Sequence, residues 1–289
     1  MLPGSRAILA EFAQDEVRFM PSKTTGAIRV GIGGWTFEPW RGTFYPSDLP
    51  QKRELEYAGQ KLTAIEINGT YYGSQKPESF ARWRSETPDG FVFSVKGPRF
   101  ATNRGKLAEA GSSIERFFAS GVTELKEKLG PINWQMLPTK KFDPDDFEAF
   151  LKLLPDKAGG LSIRHVVEVR HESFRVPEFV ALLRKYGVAT VLTDKAEFPE
   201  IPDVTADFVY LRLQRAQEKV ATGYPPKELD AWAERARTWA AGGTPKEPAP
   251  VGAPEKKAPK ARDVFIFMIN GFKPKAPAAA MALIERVGR

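Results

Sequence analysis

Short apolar runs recur along this chain, and most of them end on polar side chains. Eight can be read as strands: Ile28–Gly33, Ala64–Asn68, Phe91–Lys96, Ile132–Leu137, His165–Arg170, Ala189–Asp194, Phe208–Leu213 and Asp263–Asn270. Each is rich in β-branched or aromatic residues and is bounded by Gly, Pro or Asp. Between them, apolar spacing, acidic starts and Pro or Gly punctuation predict helices over Arg53–Lys61, Pro77–Arg84, Ser113–Leu129, Asp145–Leu154, Pro177–Tyr186 and Lys227–Ala241. Strand–helix alternation carried through eight strands predicts an α/β fold, a single TIM-type (β/α)8-like barrel over residues 28–289. An open doubly wound sheet is the alternative. Residues 1–27 read as a short N-terminal extension in which Ile8 to Phe19 could form one helix. Gly242–Ala261 is dominated by Pro, Ala and Lys without an aromatic, so it reads as a mobile loop before the last strand.

Side chains alternate along a strand, and the helix-facing side of a barrel strand must be apolar. Ile65 and Ile67 therefore turn outward and leave Glu66 and Asn68 inside. By the same parity Glu168 and Arg170, Tyr210 and Arg212, Ser94 and Lys96, and Asn133 and Gln135 point inward. In a parallel barrel the C-terminal strand ends share one mouth, which holds the active site. Glu66, Asn68, Lys96, Gln135, Glu168, Arg170, Asp194, Arg212 and Asn270 are expected to gather there. Buried carboxylates and guanidiniums are costly unless paired. These groups must satisfy either one another, as a salt-bridge layer that plugs the barrel, or a ligand.

Composition narrows the chemistry. The chain has 289 residues, a hydrophobic fraction of 42%, 20 phenylalanines and a net charge of +7. A basic balance suits anionic partners. With no cysteine, disulfides, thiolate catalysis and thiolate metal sites are excluded, and with His165 and His171 as the two histidines so is a poly-histidine centre. The first residues make a poor signal peptide and no run is long enough to span a membrane, so a cytoplasmic location without membrane association is expected.

Several blocks also carry a resemblance: Gly31-Ile-Gly-Gly-Trp35, Trp40-Arg-Gly-Thr-Phe-Tyr-Pro46, Glu66-Ile-Asn-Gly-Thr-Tyr-Tyr72, Thr87-Pro-Asp-Gly-Phe91 after Trp83, Lys96-Gly-Pro-Arg99, Leu129-Gly-Pro131 with Gln135, Glu168-Val-Arg-His171, Asp194 and Tyr210-Leu-Arg212. In this order the chain resembles the YecE-like family of bacterial and archaeal proteins, domain of unknown function 72. The resemblance implies a TIM-type barrel and brings no reaction with it. Three blocks depart from the family pattern. Gln214-Arg215 stands where His-Gly is usual, Ile269-Asn270-Gly271 where Asn-Asn-Asp is usual, and Thr102-Asn103 where Thr-His is usual.

Gly31-Ile-Gly-Gly fits neither the Rossmann nor the P-loop spacing and reads as a tightly packed strand end. Trp35, Trp40, Phe44 and Tyr45 could line the mouth or pack its loops. Tyr71 and Tyr72, directly after Asn68, are the stronger candidates to line it. Glu66, Glu168 and His171 are the acid–base candidates, since histidine titrates near neutrality and a carboxylate can fix its tautomer. Glu66 and Glu168 could instead act as a sugar hydrolase's carboxylate pair, or bind Mg2+ or Mn2+ with Asp194. Lys96, Arg170 and Arg212 oppose a cation and favour a phosphate or carboxylate. The expectation is a barrel enzyme of hydrolase or isomerase type acting on a small anionic, phosphorylated or sugar-like substrate bound by Asn68, Tyr71, Tyr72, Lys96, Gln135, Arg170, Asp194, Arg212 and Asn270. No metal and no cofactor are expected. A nucleic-acid-binding or endonuclease-like protein and a non-catalytic binding protein remain the alternatives, and the oligomeric state is open.

Overall fold

The computed structural model of the chain describes residues 25–254 and 260–288. The expected helix between Ile8 and Phe19 lies outside the described residues, as do residues 255–259 of the loop before the last strand. Eight parallel strands close a barrel: β1 (Ile28–Gly33), β2 (Ala64–Ile67), β3 (Val92–Lys96), β4 (Leu129–Gln135), β5 (His165–Glu168), β6 (Ala189–Thr193), β7 (Phe208–Leu213) and β8 (Asp263–Met268). They follow chain order around the ring, and β1 pairs with both β2 and β8 to close it. The fold is the TIM-type barrel that the alternation of elements predicts.

The longer helices are α1 (Glu54–Lys61), α2 (Pro77–Ser85), α3 (Gly111–Ala119), α4 (Pro144–Leu153), α5 (Pro177–Tyr186), α6 (Pro226–Ala240) and α7 (Ala276–Val287). Local chemistry sets their ends. The Asp143 carboxylate accepts from the amides of Asp145 and Asp146 at 3.1 Å each and caps α4. α5 begins on Pro177 and stops at Gly187, which adopts φ +62°. The helix expected over Ser113–Leu129 is broken. α3 ends at Ala119, Gly121 takes φ +95°, and a 3-10 stretch follows over Val122–Lys128. A side chain on Gly121 would also meet Pro77 at 2.7 Å, so glycine is required there twice over.

Apolar side chains pack in two layers. Ala64, Val166, Ala189, Val191, Phe208, Tyr210, Phe265 and Phe267 fill the lower barrel interior. The opposite faces of the same strands, with Ile65, Ile67, Val167, Val209 and Leu211 among them, pack under the helices. Strand parity is thus obeyed throughout, and the polar inward positions rise above the apolar plug toward the C-terminal mouth. Gly31 lets β1 and β2 approach closely, because a Cβ there would lie 1.8 Å from the Ala64 carbonyl oxygen. That accounts for the glycine-rich strand end without a phosphate.

The segment read as a free loop over Gly242–Ala261 is fastened within its described part. The buried Asp203 carboxylate accepts from the amides of Val251 at 2.7 Å and Gly252 at 3.0 Å, and Arg184 donates to the Ala253 carbonyl at 2.6 Å. A buried acid needing donors finds them in this loop's backbone, a partner that composition does not reveal.

Candidate functional site at the barrel mouth

The inward polar residues meet as one network. Arg212 on β7 donates to Glu66 on β2 through Nε, 3.1 Å from Oε2, and Nη2, 3.0 Å from Oε1. Its Nη1 lies 2.6 Å from Oε2 of Glu168 at the end of β5. Glu66 Oε2 also accepts from the Tyr210 hydroxyl at 2.7 Å, and that hydroxyl lies 2.6 Å from Ser94 Oγ. Glu168 Oε1 accepts from Arg170 Nε at 3.0 Å and Nη2 at 2.8 Å. Its Oε2 accepts from Gln135 Nε2 at 2.7 Å, and Gln135 Oε1 in turn accepts from Lys96 Nζ at 2.8 Å. Asn133 Nδ2 sits 3.4 Å from an oxygen of each carboxylate, while its Oδ1 is buried without a partner.

Strand register explains why these residues meet. Glu66 lies beside Ser94, Lys96 beside Asn133, Gln135 beside Glu168, and Arg212 beside Thr193 and Phe267. Inward side chains at matching heights form layers across the barrel. Arg212, one of the expected ligand-binding residues, is engaged by two carboxylates because its fork reaches both.

The network sets its own charge states. Burial disfavours the charged form of Glu168, but Arg212, Arg170 and Lys96 outweigh it and hold the carboxyl at about 2. Lys96 is lowered to about 8, first by burial and then by the repulsion of Arg212, with Glu66 and Glu168 acting the other way. Arg212 remains charged, its guanidinium stabilised by Glu168 and Glu66 against its burial. Burial pushes the Tyr210 hydroxyl well above its usual range, so it donates as a neutral phenol.

Other expected site residues occupy the rim. Tyr71 lies against the Lys96 ammonium, with Nζ 4.3 Å from its ring centre, and its hydroxyl is 3.4 Å from Asn103 Oδ1. Tyr72 stands edge-on to Tyr71 and is exposed. Asn68 is half-buried and turns its amide to the Glu66 carbonyl. Asp194 belongs to a separate cluster. It accepts from the Gln214 amide at 2.6 Å and the Tyr224 hydroxyl at 2.7 Å, and burial raises its pKa. Asn270 is exposed and reaches Gln214 Oε1 at 3.3 Å.

His171 is not held by Glu168, contrary to the expected acid–base pair. Its Nδ1 lies 2.9 Å from Ser173 Oγ and accepts from the Ser173 amide, which caps a short 3-10 turn. Arg170 keeps Glu168 instead. Trp40 and Tyr45 are fully buried and Phe44 nearly so, so these aromatics pack the first loop. Tyr45 donates to the Trp35 carbonyl at 2.6 Å.

Tyr224, Lys195 and Phe198 are among the participants outside the set of expected site residues. Tyr224 lies in a loop that carries no strand parity. Lys195 follows Asp194 directly and Phe198 stands four residues after it, in the loop beyond β6. The Phe198 ring lies 4.7 Å from Lys195 Nζ and 4.8 Å from the Arg170 guanidinium. Among the described residues, no group of three or more His, Asp and Glu side chains is placed to hold a metal ion. No helix among them is long and apolar enough to cross a membrane.

Known proteins share this outline. Over 147 residues the chain is 28% identical to the UPF0759 protein YecE of Escherichia coli K12, a match taking in 51% of this chain and 50% of that protein. It therefore spans about half the length of the curated relatives it matches. The fold is similar to the crystal structure of a DUF72 family protein from Thermotoga maritima MSB8, with a TM-score of 0.68 and 23% identity, covering 90% of this chain and 98% of that one. A DUF72 family protein from Enterococcus faecalis V583 superposes with a TM-score of 0.66 and 16% identity, covering 90% and 95%. The family model described as "Protein of unknown function DUF72" matches residues 29–289, and with its blocks of inward polar residues on eight parallel strands the chain belongs to that family.

Proposed function

We propose that the barrel mouth binds a small anionic, phosphorylated or sugar-like substrate, and that the protein is an enzyme of hydrolase or isomerase type acting on it. One observation carries the reading. The network holds two carboxylates, Glu66 and Glu168, against three cations, Arg212, Arg170 and Lys96. Both carboxylates are consumed by the arginines. Among the described residues Lys96 has a neutral amide and a tyrosine ring as neighbours and no carboxylate within 4.0 Å. One positive charge is left over at the top of the layer, and a surplus cation in a poorly solvated site favours an anion.

Lys96 and Arg170 would bind that anion, with Tyr71 and Tyr72 along its edge. Lys96, at about 8, is also the network group best matched to proton transfer near neutrality. Glu168, held at about 2, would stay ionised and act by charge. The saturated carboxylates favour a second reading, a non-catalytic binding protein, since neither oxygen pair is free to take a proton from a substrate.

Thermal-shift titration with inorganic phosphate and a panel of sugar phosphates tests the binding claim. These ligands should raise the melting temperature of the wild type and not of Lys96→Met. Stabilisation by Mg2+ or Mn2+ with no response to phosphate compounds would overturn it. Turnover of a stabilising ligand separates the enzyme from the binding protein. A steep salt dependence of DNA binding with no response to small anions would point to nucleic acid instead.

A further inference from the structure

A cavity lies outside this network. It encloses about 310 Å3 on the flank of the barrel, between the loop after β2, the loop after β3 and helix α3. Neither Lys96 nor any member of the carboxylate–guanidinium network lines it. The nearest link is Thr70, which lines the cavity and whose hydroxyl donates to the Lys96 carbonyl at 2.7 Å.

Helix α3 and the turn after it give one wall. Ser113, Arg116, Phe117 and Ser120 are spaced three, four and seven apart, which puts them on one helical face. A face turned wholly to the barrel core would be apolar. Here Phe117 is buried and Arg116 exposed, while the Ser113 hydroxyl accepts from Arg104 and the Ser120 hydroxyl donates to the Phe117 carbonyl. The loop after β3 supplies the opposite wall with Pro98, Phe100 and Arg104.

The two arginines set the charge. No Asp or Glu lines the cavity, and among the described residues neither Arg104 nor Arg116 has a carboxylate within 4.0 Å. Arg104 is held in place, with Nε 2.6 Å from the Phe100 carbonyl and Nη2 2.9 Å from Ser113 Oγ. Arg116 spends Nε on the Ser112 carbonyl at 3.0 Å, and its terminal nitrogens make no hydrogen bond among the described residues. A guanidinium with donors to spare beside a fixed one suits an acid group.

One exposed ring belongs to the lining. Phe100 is 58% exposed, and with Tyr72 at 65% and Leu137 at 37% it makes up the large hydrophobic side chains exposed among the described residues. These three follow consecutive strands, β2, β3 and β4, so they share one sector of the molecule. Of the three, Phe100 lines the cavity, and its ring, left in water there, is available to a ligand's apolar face. The volume is at the low end for small-molecule sites and admits about one ring system with a substituent.

We propose that this flank cavity is a second binding site, for a small flat apolar acid: an aromatic or comparable ring carrying a carboxylate, sulfonate or phosphate. The ring lies against Phe100 and Phe117, and the acid group is taken by Arg116 and Arg104. The site is separate from the carboxylate–guanidinium network, no member of which lines it.

Fluorescence titration of the full chain with 8-anilinonaphthalene-1-sulfonate, a flat aromatic sulfonate, tests this. One saturable site is expected. Arg116→Glu and Phe100→Ser, both at exposed side chains, should each weaken binding by about tenfold or more, since each removes one of two anchors. Lys96→Met should leave the titration unchanged. Equal affinity in the wild type and both flank variants would overturn the proposal, as would loss of binding in Lys96→Met alone.

Discussion

Arg212 grips Glu66 across the barrel with two parallel hydrogen bonds, Nε to Oε2 at 3.1 Å and Nη2 to Oε1 at 3.0 Å. The two residues stand on β7 and β2, and both side chains are almost fully withdrawn from water. The third arginine nitrogen holds Glu168 at 2.6 Å. One guanidinium thereby joins two carboxylates that would otherwise repel each other in the barrel interior.

Replacing Arg212 by Met should therefore cost more than losing three hydrogen bonds. It strands the buried Glu66 carboxylate and leaves Glu168 to Arg170 alone, and breaking a buried pair in this way costs about 3–5 kcal/mol. Urea denaturation at pH 7 reads this directly. The triple variant Arg212→Met, Glu66→Gln, Glu168→Gln carries no such charge and should be more stable than the single variant. A single-variant loss under about 1 kcal/mol would mean that water or rearranged partners already solvate the carboxylates.

Glu168 should shape the acid limb of stability. Its carboxyl is held at about 2, against a reference of 4.5, because Arg212, Arg170 and Lys96 outweigh its burial. A depressed folded pKa means that the unfolded chain binds the proton more tightly. The stabilisation is present above about pH 4.5 and is lost as pH falls toward 2. Glu168→Gln should flatten the stability curve between those values by about one proton's worth of slope. Parallel curves for the two proteins in that window would contradict the assignment.

Parity made much of this site legible. Ile65 and Ile67 had to face the helices, so Glu66 had to face inward, and the same step located Lys96, Gln135, Glu168, Tyr210 and Arg212. What parity cannot supply is distance across the ring. It gives each strand's inward face but not the relative heights, so it could not tell that Arg212 spans Glu66 and Glu168 while Lys96 is left to Gln135. His171 illustrates a second limit. It follows the last inward residue of its strand, where the chain has turned and a local Ser173 amide competes for the ring. α7 escaped for a third reason: its Ala-rich first half carries no contrast between apolar and polar faces. The flank cavity has no sequence trace, because its walls come from three separate segments.

Asp203 should control the segment before β8. Its carboxylate takes the Val251 and Gly252 amides and lies 3.4 Å from Arg184 Nη2. Asp203→Ala leaves both amides without their acceptor. Hydrogen exchange at Val251 and Gly252 should accelerate, and global stability should fall by about 1–3 kcal/mol. Unchanged exchange at both amides would show that the loop is held by something other than this carboxylate.

Lys96 should leave its mark on the alkaline side, and the sign differs from that of Glu168. Burial, reinforced by Arg212, lowers its pKa from 10.5 to about 8. Between those values the unfolded chain keeps a proton that the folded chain has released. Stability contributed by this group therefore rises with pH across the window, on the order of 1–3 kcal/mol. Lys96→Met has no proton to release, so the wild type should gain on it between pH 8 and pH 9.5. The buried hydroxyls of Tyr45, Tyr210 and Tyr224 are shifted upward and act in the opposite sense at higher pH, but they do so in both proteins and cancel in the difference. The same deprotonation removes the surplus charge of the mouth. The thermal shift produced by inorganic phosphate should accordingly shrink as pH passes about 8 in the wild type. A phosphate shift that persists undiminished at pH 9.5 would place the anion on the arginines and leave Lys96 without a binding role.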